Sequence, residues 1–442
     1  MSKSPFHTLA RILLIATICG GPWAFGAVQP WAWAALMTLS VLTLILWAAG
    51  CAHCGVLKIV WSPLYWPFLA FLALAVVQLF TNLSYDHVAT REAVVKIVTD
   101  FNFFFLAGQL LNTQPENGRV LDRFGLITTL LAVALCLLGI AQMLWSPWRV
   151  IYWTYHVMGA PFGPYVNHNN YAGLMEMLLP ISIVYILSRS MNIILQLLLW
   201  SGVSLVIISI WISGSRGASI VLVIEGLLLA GILLGHRSRS VPPRLFVVLL
   251  GVVLVSAVGF SLLVGKGSVT GRSWGALETG ESLQSKLGDR WLVAIDTLHL
   301  IRSHPGMGIG VGCFEYAFPS YLTFTTDLHW THAHDDVLEA VAETGLPGFV
   351  LILVAITIFI RSAFRDLGKR LRHGWGWIQM GATLGAVGLF CHSFVDFNLR
   401  VPANATWFVV CLAIATHSGP AQKDPPKIAW DSNRDHSSEL LN

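Results

Sequence analysis

The sequence predicts an all-α, polytopic membrane protein with about twelve transmembrane helices and one large segment outside the bilayer. Three observations carry that prediction. Only 11% of the 442 residues are charged and 55% are hydrophobic, whereas soluble domains carry roughly a quarter charged residues. The mean hydropathy is +0.68. Apolar runs of about 18 or more residues, each long enough to cross a hydrocarbon core as a helix, recur along the chain.

The runs centre near residues 9–27, 31–50, 62–80, 93–111, 124–143, 169–187, 193–213, 217–235, 245–264, 346–364, 376–395 and 401–417. The first follows MSKSPFHTLAR, has no small-residue cleavage site and leads directly into further spans. It therefore reads as a retained span and not a removed signal peptide. The fourth, VVKIVTDFNFFFLAGQLL, is the weakest, because Lys96 and Asp100 interrupt it.

Short loops set the orientation. With the N-terminus inside, the cytoplasmic segments are the N-terminus, 51–61, 112–123, 188–192, 236–244, 365–375 and the tail. Together they hold about 17 of the 27 basic residues, against about 10 outside. HRSRSVPPR and RSAFRDLGKRLRH are the clearest inside loops. The expectation is N-in and C-in, with residues 265–345 facing outward.

Within that outer segment, GKGSVTGRSWGALETGESLQSK is Gly/Ser-rich and reads as irregular. DRWLVAIDTLHLIRSH then carries Trp291, Leu292, Ile295, Leu298 and Ile301 at helical spacing. A glycine-rich turn, PGMGIGVGCF, follows. The tail, SGPAQKDPPKIAWDSNRDHSSELLN, is polar and reads as disordered.

The net charge of +4 is small and dispersed, which argues against nucleic-acid binding. The seven cysteines form no pattern. CAHC at 51–54 has no second pair for zinc, and Cys313 alone falls on the oxidising side, so no intrachain disulfide is expected.

The residues that can carry chemistry gather in a few places. THAHDDVLEAVAETGLPG, residues 331–348, crowds His332, His334, Asp335, Asp336, Glu339 and Glu343 ahead of a strongly apolar run. Read as a helix, Asp335, Glu339 and Glu343 recur at i, i+4 and i+8 on one face. A solvated acidic face is the plain reading. A metal site built from His332, Asp336 and Glu339 is the sharper one, but no further His/Cys pair with ligand spacing supports it. His334 lies toward the apolar side, where a histidine can act as base or hydrogen-bond donor near neutral pH. Gly345 and Pro347 should end this helix before the next span.

GSRGAS places Arg216 at the outer end of a tight span–turn–span connection. An arginine there must face protein or water. Its planar fork suits phosphate oxygens, though snorkelling to the interface explains it equally. NHNNYAG sets Asn167, His168, Asn169 and Asn170 at the start of a span, where capping is the plain role. GMGIGVG lacks the strand–helix unit of a dinucleotide fingerprint. It remains a turn whose amides can approach a ligand. Glu176 and Glu225 within spans, and Asp396 at a membrane edge, need partners or a wet cavity.

Taken in order, GPYVNHNNYAG, SGSRGA, DRWLVAIDTLHLIRSHPGMGIGVGCFEYAF, AHDDVLEAVAETGLPGF and HSFVDFNLRVPAN resemble the O-antigen ligase and polymerase superfamily of bacterial membrane glycosyltransferases, over roughly residues 160–415. The resemblance implies a GT-C-like membrane enzyme. Such an enzyme moves a glycan from an undecaprenyl diphosphate-linked donor to an acceptor hydroxyl at the periplasmic face of the inner membrane. It divides the chain into N-terminal helices (1–160), a catalytic membrane region with its periplasmic loop 265–345 (161–417) and a cytoplasmic tail (418–442). Arg216 matches the family's arginine in the outer SRG turn, Arg290 the arginine opening its periplasmic helix, and His334 its essential histidine. Asn167 and Asn169 join Arg216 and Arg290 as expected substrate-binding residues. Asp335 departs from the family, which often has Asn there.

No cofactor or metal is expected, since arginine supplies positive charge and no carboxylate–metal motif stands out. The expected partners are the lipid-linked donor, a glycan or lipid A–core acceptor, and the bilayer. Ligation has a slight edge over O-antigen or exopolysaccharide polymerisation. A transporter of lipid-linked oligosaccharides is the competing class, but it need not have an outer segment carrying Arg290 and His334. A non-catalytic export component is a third, against which an inactive His334→Ala variant would argue.

Overall fold

A computed structural model describes residues 4–111, 117–146, 149–150, 152, 160–235, 251, 283–326 and 329–417. Within them the chain is helical and contains no named strand, only an isolated bridge between Phe162 and Tyr165.

The N-terminal half runs through α1 (Pro5–Trp23), α2 (Pro30–Cys54), α3 (Tyr65–Phe80), α4 (His87–Leu111) and α5 (Asn117–Trp145). Then follow α6 (His168–Leu187), α7 (Ile193–Ser213), α8 (Arg216–Gly235), α9 (Leu283–Ser303) and the single turn α10 (Phe314–Ala317). The C-terminal part holds α11 (Asp336–Phe364), α12 (Leu367–Arg370), α13 (Gly374–His392) and α14 (Pro402–Thr416). Eleven of the expected spans fall on these helices. The ninth, at 245–264, lies outside the described residues apart from Gly251, as do the tail beyond 417 and most of the stretch read as irregular.

Seven of the helices (α2, α4, α5, α6, α7, α8 and α11) are long and apolar enough to cross a membrane, and α3 and α14 are shorter apolar helices. The protein is a multi-pass membrane protein.

Local chemistry sets the boundaries. Pro30 opens α2, and Gly55 closes it in a left-handed conformation. The Asn192 side chain accepts from the Leu195 amide at 2.8 Å and starts α7, which Gly214 closes at φ 82°. Helix α6 is buried along almost its whole length, at the middle of the bundle. It meets α13 across the GATLG stretch, where a Cβ on Gly385 would come within 2.7 Å of the Met177 backbone. Small residues at i and i+4 let two spans approach this closely without lipid between them.

Outside the bundle lies a second cluster, with Val293, Leu300, Ile309, Phe314, Phe318, Trp330 and Ala342. It packs α9 against the start of α11. The helix expected here exists, but its buried face is rotated from the expected one. Val293, Asp296, Thr297 and Leu300 are buried, while Trp291 and Leu298 are exposed. Buried Asp296 explains the difference, because its carboxylate accepts from both the amide and the hydroxyl of Thr323 at 2.9 Å.

Candidate active site

The 331–348 stretch builds the centre of the site, and its acids are not a solvated face. Asp336, Glu339 and Glu343 are at most 4% exposed. Each holds a neighbouring segment in place. Asp335 caps α11 by accepting from the Leu338 amide at 2.8 Å. Asp336 accepts from the Ser393 hydroxyl at 2.8 Å and the Leu399 amide at 2.9 Å. Glu339 accepts from the Ala333 amide at 2.8 Å and lies 3.0 Å from His332 Nδ1.

Arg400 completes the arrangement. Its Nε lies 3.1 Å from Glu339 and its Nη2 2.7 Å from Glu343. Burial opposes the charge on Arg400, but Glu339, Glu343 and Asp336 more than offset it and hold its pKa above the ordinary arginine value. Buried carboxylates demand such partners.

The alternative metal triad of His332, Asp336 and Glu339 does not assemble. His332 meets Glu339, but Asp336 faces Ser393 and Leu399, and the cation beside Glu339 is Arg400. No group of three His, Cys, Asp or Glu among the described residues is placed to hold a metal ion.

These bonds fix His334 in an unusual conformation. Its φ is 54°, in the left-handed region that a non-glycine residue rarely adopts. The Ala333 amide on one side is tied to Glu339, and the Asp336 amide on the other to the Ser393 carbonyl at 2.8 Å. Such a conformation persists where the surroundings over-determine it, and it is enriched at functional sites. The imidazole stands edge-on to Phe397, with ring centroids 4.9 Å apart, and edge-on to Trp330 at 5.7 Å. Its Nδ1 lies 3.4 Å from Oδ1 of Asp396. That is longer than a normal hydrogen bond, as catalytic contacts often are without substrate.

Asp396 sits in the connection between α13 and α14 and is 1% exposed. Burial alone would raise its pKa. The His334 contact and the charges of Arg290, His334 and His392 outweigh burial and hold it well below the usual carboxylate range.

A cleft of about 1060 Å³ opens beside this centre. Arg290, Asn167, Asn169, His332, Phe397 and Arg400 are among its lining residues, so two of the expected binding elements converge there. Arg290 donates to the Val395 carbonyl at 3.3 Å. Asn167 is also the N-cap of α6, accepting from the Asn169 amide at 2.9 Å. The capping role therefore holds alongside a place on the cleft wall.

Arg216 does not line the cleft. It opens α8 beside the 392–397 turn, where a Cβ on the next residue, Gly217, would sit 2.6 Å from His392 Nε2. The glycine-rich turn is no phosphate cradle. The Ile309 and Gly310 amides donate to the Ala342 and Glu343 carbonyls, and the Val311 amide to Gln78. Asp396 and Lys96 stood out in the sequence as charges at membrane depth. Arg400 and Phe397 did not, and their only signal was membership of HSFVDFNLRVPAN.

Residues 197–353 match the family model described as O-antigen ligase. The match covers about a third of the chain and marks a similarity to O-antigen ligases over that segment. The matched segment contains Arg216, Arg290 and His334, whereas Asn167, Asn169, Asp396 and Arg400 lie outside it. No curated protein matches the chain.

The departure at Asp335 has a local explanation and a test. Asn is as good an N-cap as Asp, so Asp335→Asn should keep near-normal activity and stability. Asp335→Ala should lose about 0.5–2 kcal/mol with the cap. Thermal melting of the two variants, side by side with an activity assay, checks this.

Proposed function

We propose that the protein transfers a glycan from an undecaprenyl diphosphate-linked donor to an acceptor hydroxyl at the periplasmic face of the bacterial inner membrane. The observation that carries this reading is the cleft. It is large, it presents Arg290 and two asparagines, and its wall residue Phe397 packs edge-on against His334, which stands behind the lining and not in it.

The chemistry follows from those groups. The acceptor oxygen attacks the anomeric carbon as the bond from that carbon to the diphosphate oxygen breaks. The diphosphate leaves with the bonding pair, and Arg290 in the cleft wall stabilises the charge that grows on it. Arg216, outside the lining, is assigned a supporting role only by its place in the SRG turn. Asp396 favours a proton on Nδ1 of His334. That leaves Nε2 to take the proton from the acceptor hydroxyl. Asn167 and Asn169 can hydrogen-bond the donor's sugar or phosphates.

Arginine supplies the positive charge that a divalent ion supplies elsewhere, so activity should persist in EDTA. Loss in chelator, restored by one divalent ion, would overturn that part of the reading.

The orientation follows from the short-loop basic residues: both termini inside and 265–345 periplasmic. Cysteine introduced at Gly280 should label from the outside of intact cells, and cysteine at Arg370 should not. Outside labelling at Arg370 would sink the topology.

Ligation is favoured over polymerisation. The acceptor on this reading is a glycan hydroxyl. Reconstitution with one lipid-linked repeat and no lipid A–core separates the two outcomes. No product until lipid A–core is added supports ligation, and a ladder of longer lipid-linked chains shows polymerisation.

A further inference from the structure

The cleft has a wall that the proposed chemistry does not use. Helix α4 turns Arg91, Glu92, Val95 and Lys96 into it, and α2 turns Pro30, Trp33 and Met37. Pro30, Trp33 and Met37 recur at i, i+3 and i+7, one face of a helix. Further along, the two helices close on each other, where Asn102 donates to the Ser40 carbonyl at 3.0 Å. Lys96 lies six residues before Asn102, so it stands about 9 Å above that contact at 1.5 Å per residue. The groove between α2 and α4 is therefore floored, apolar on the α2 side and cationic on the α4 side.

Lys96 is exposed into this space, within a helix long and apolar enough to span a membrane. A lysine at such depth is costly unless it is paired, faces water or meets a ligand of opposite charge. Asp100, one turn further along α4, is near enough to feel the Lys96 charge, yet Lys96 remains exposed to the cleft. Arg91 lies about one turn nearer the start of the helix. Glu92 shares the wall, so α4 contributes two cations and one carboxylate, and Arg290 adds a third cation across the cleft. Arg400 is already committed to Glu339 and Glu343.

We infer that the α2–α4 groove is the seat of the donor lipid. Lys96 and Arg91 hold its diphosphate, and the Trp33–Met37 face takes the first isoprene units. The inference rests on the proposed function and adds two binding residues to it. The match is one of paired chemistries: an anionic head next to an apolar chain, in a groove that pairs cations with an apolar face. Lys96, the deeper cation, meets the phosphate attached to the lipid. Arg91 meets the phosphate attached to the sugar, nearer Arg290.

The test is equilibrium binding of undecaprenyl diphosphate to the full-length protein in detergent, with undecaprenol as the uncharged comparison and phosphatidylglycerol as competitor. Wild type should bind the diphosphate. Lys96→Gln and Arg91→Gln should each weaken it about ten- to hundredfold, the loss of one charge-assisted contact. Lys96→Arg should retain most of the affinity, and undecaprenol binding should not change. Matched melting curves exclude misfolding as the cause. If wild type binds and both glutamine variants bind equally well, the assignment of Lys96 and Arg91 is overturned while the proposed function stands. Equal displacement by phosphatidylglycerol would also overturn it, by making the groove a general anionic-lipid site. Failure of wild type to bind the diphosphate would overturn the proposed function itself.

Discussion

His334→Ala is expected to abolish transfer, lowering the rate by about 10²–10⁴-fold, the contribution of a positioned general base. The protein should still accumulate in the membrane, because the surrounding loop is held by backbone amides bonded to Glu339 and Ser393 and not by the imidazole. His334→Asn makes the experiment sharper. Asparagine tolerates the left-handed conformation found at φ 54°, so this variant keeps the backbone and removes only the base. It should be as inactive as the alanine variant. Near-normal turnover in His334→Asn would show that position 334 serves shape and not proton transfer.

The pH profile offers a related check. The depressed pKa of Asp396 means that it is ionised throughout pH 5–8. Its contribution to stability is present above the unfolded carboxylate pKa and is lost only as pH falls through its lower folded value. Activity that fades between pH 7 and 5 therefore cannot come from protonating Asp396.

Arg290→Ala is the second large effect, an expected loss of about 10²–10³-fold, the scale for removing one donor that stabilises developing charge. Its described hydrogen bond to the Val395 carbonyl is long, at 3.3 Å, so folding should survive the change. Arg290→Lys should remain strongly impaired, because a point charge cannot reproduce the two-pronged grip of guanidinium on phosphate oxygens. Arg216→Ala should also abolish transfer, although Arg216 does not line the cleft. Near-normal activity in Arg290→Ala at matched expression would remove that residue from the site.

Much of the helical framework was legible. The runs read at 193–213 and 217–235 became Ile193–Ser213 and Arg216–Gly235, because a long apolar run bounded by Asn192 and Gly214 leaves the backbone few alternatives. Gly345 was also readable. The spacing marked a break between the acidic turns and the span, and the chain kinks there at φ 63°.

The burial of the acids was not legible. A stripe at i, i+4 and i+8 looks the same whether water or a partner covers it. The partner of Glu343, Arg400, lies 57 residues away, and no local pattern announces a pairing over that distance. The rotated face of α9 misled for a similar reason. Asp296 reads as a surface residue until Thr323 is seen to satisfy it. The amides of the glycine-rich turn looked available until Ala342, Glu343 and Gln78 were found to take them.

The central claim is that this membrane protein breaks a glycosyl–diphosphate bond. Purified protein reconstituted into vesicles with a lipid-linked glycan and an acceptor glycolipid measures this directly, by counting undecaprenyl diphosphate released against glycan transferred. The account predicts one diphosphate released per glycan transferred by wild type, in EDTA, and none by His334→Ala. Movement of the intact lipid-linked glycan across the bilayer, with no diphosphate released, would contradict it and mark the protein as a transporter.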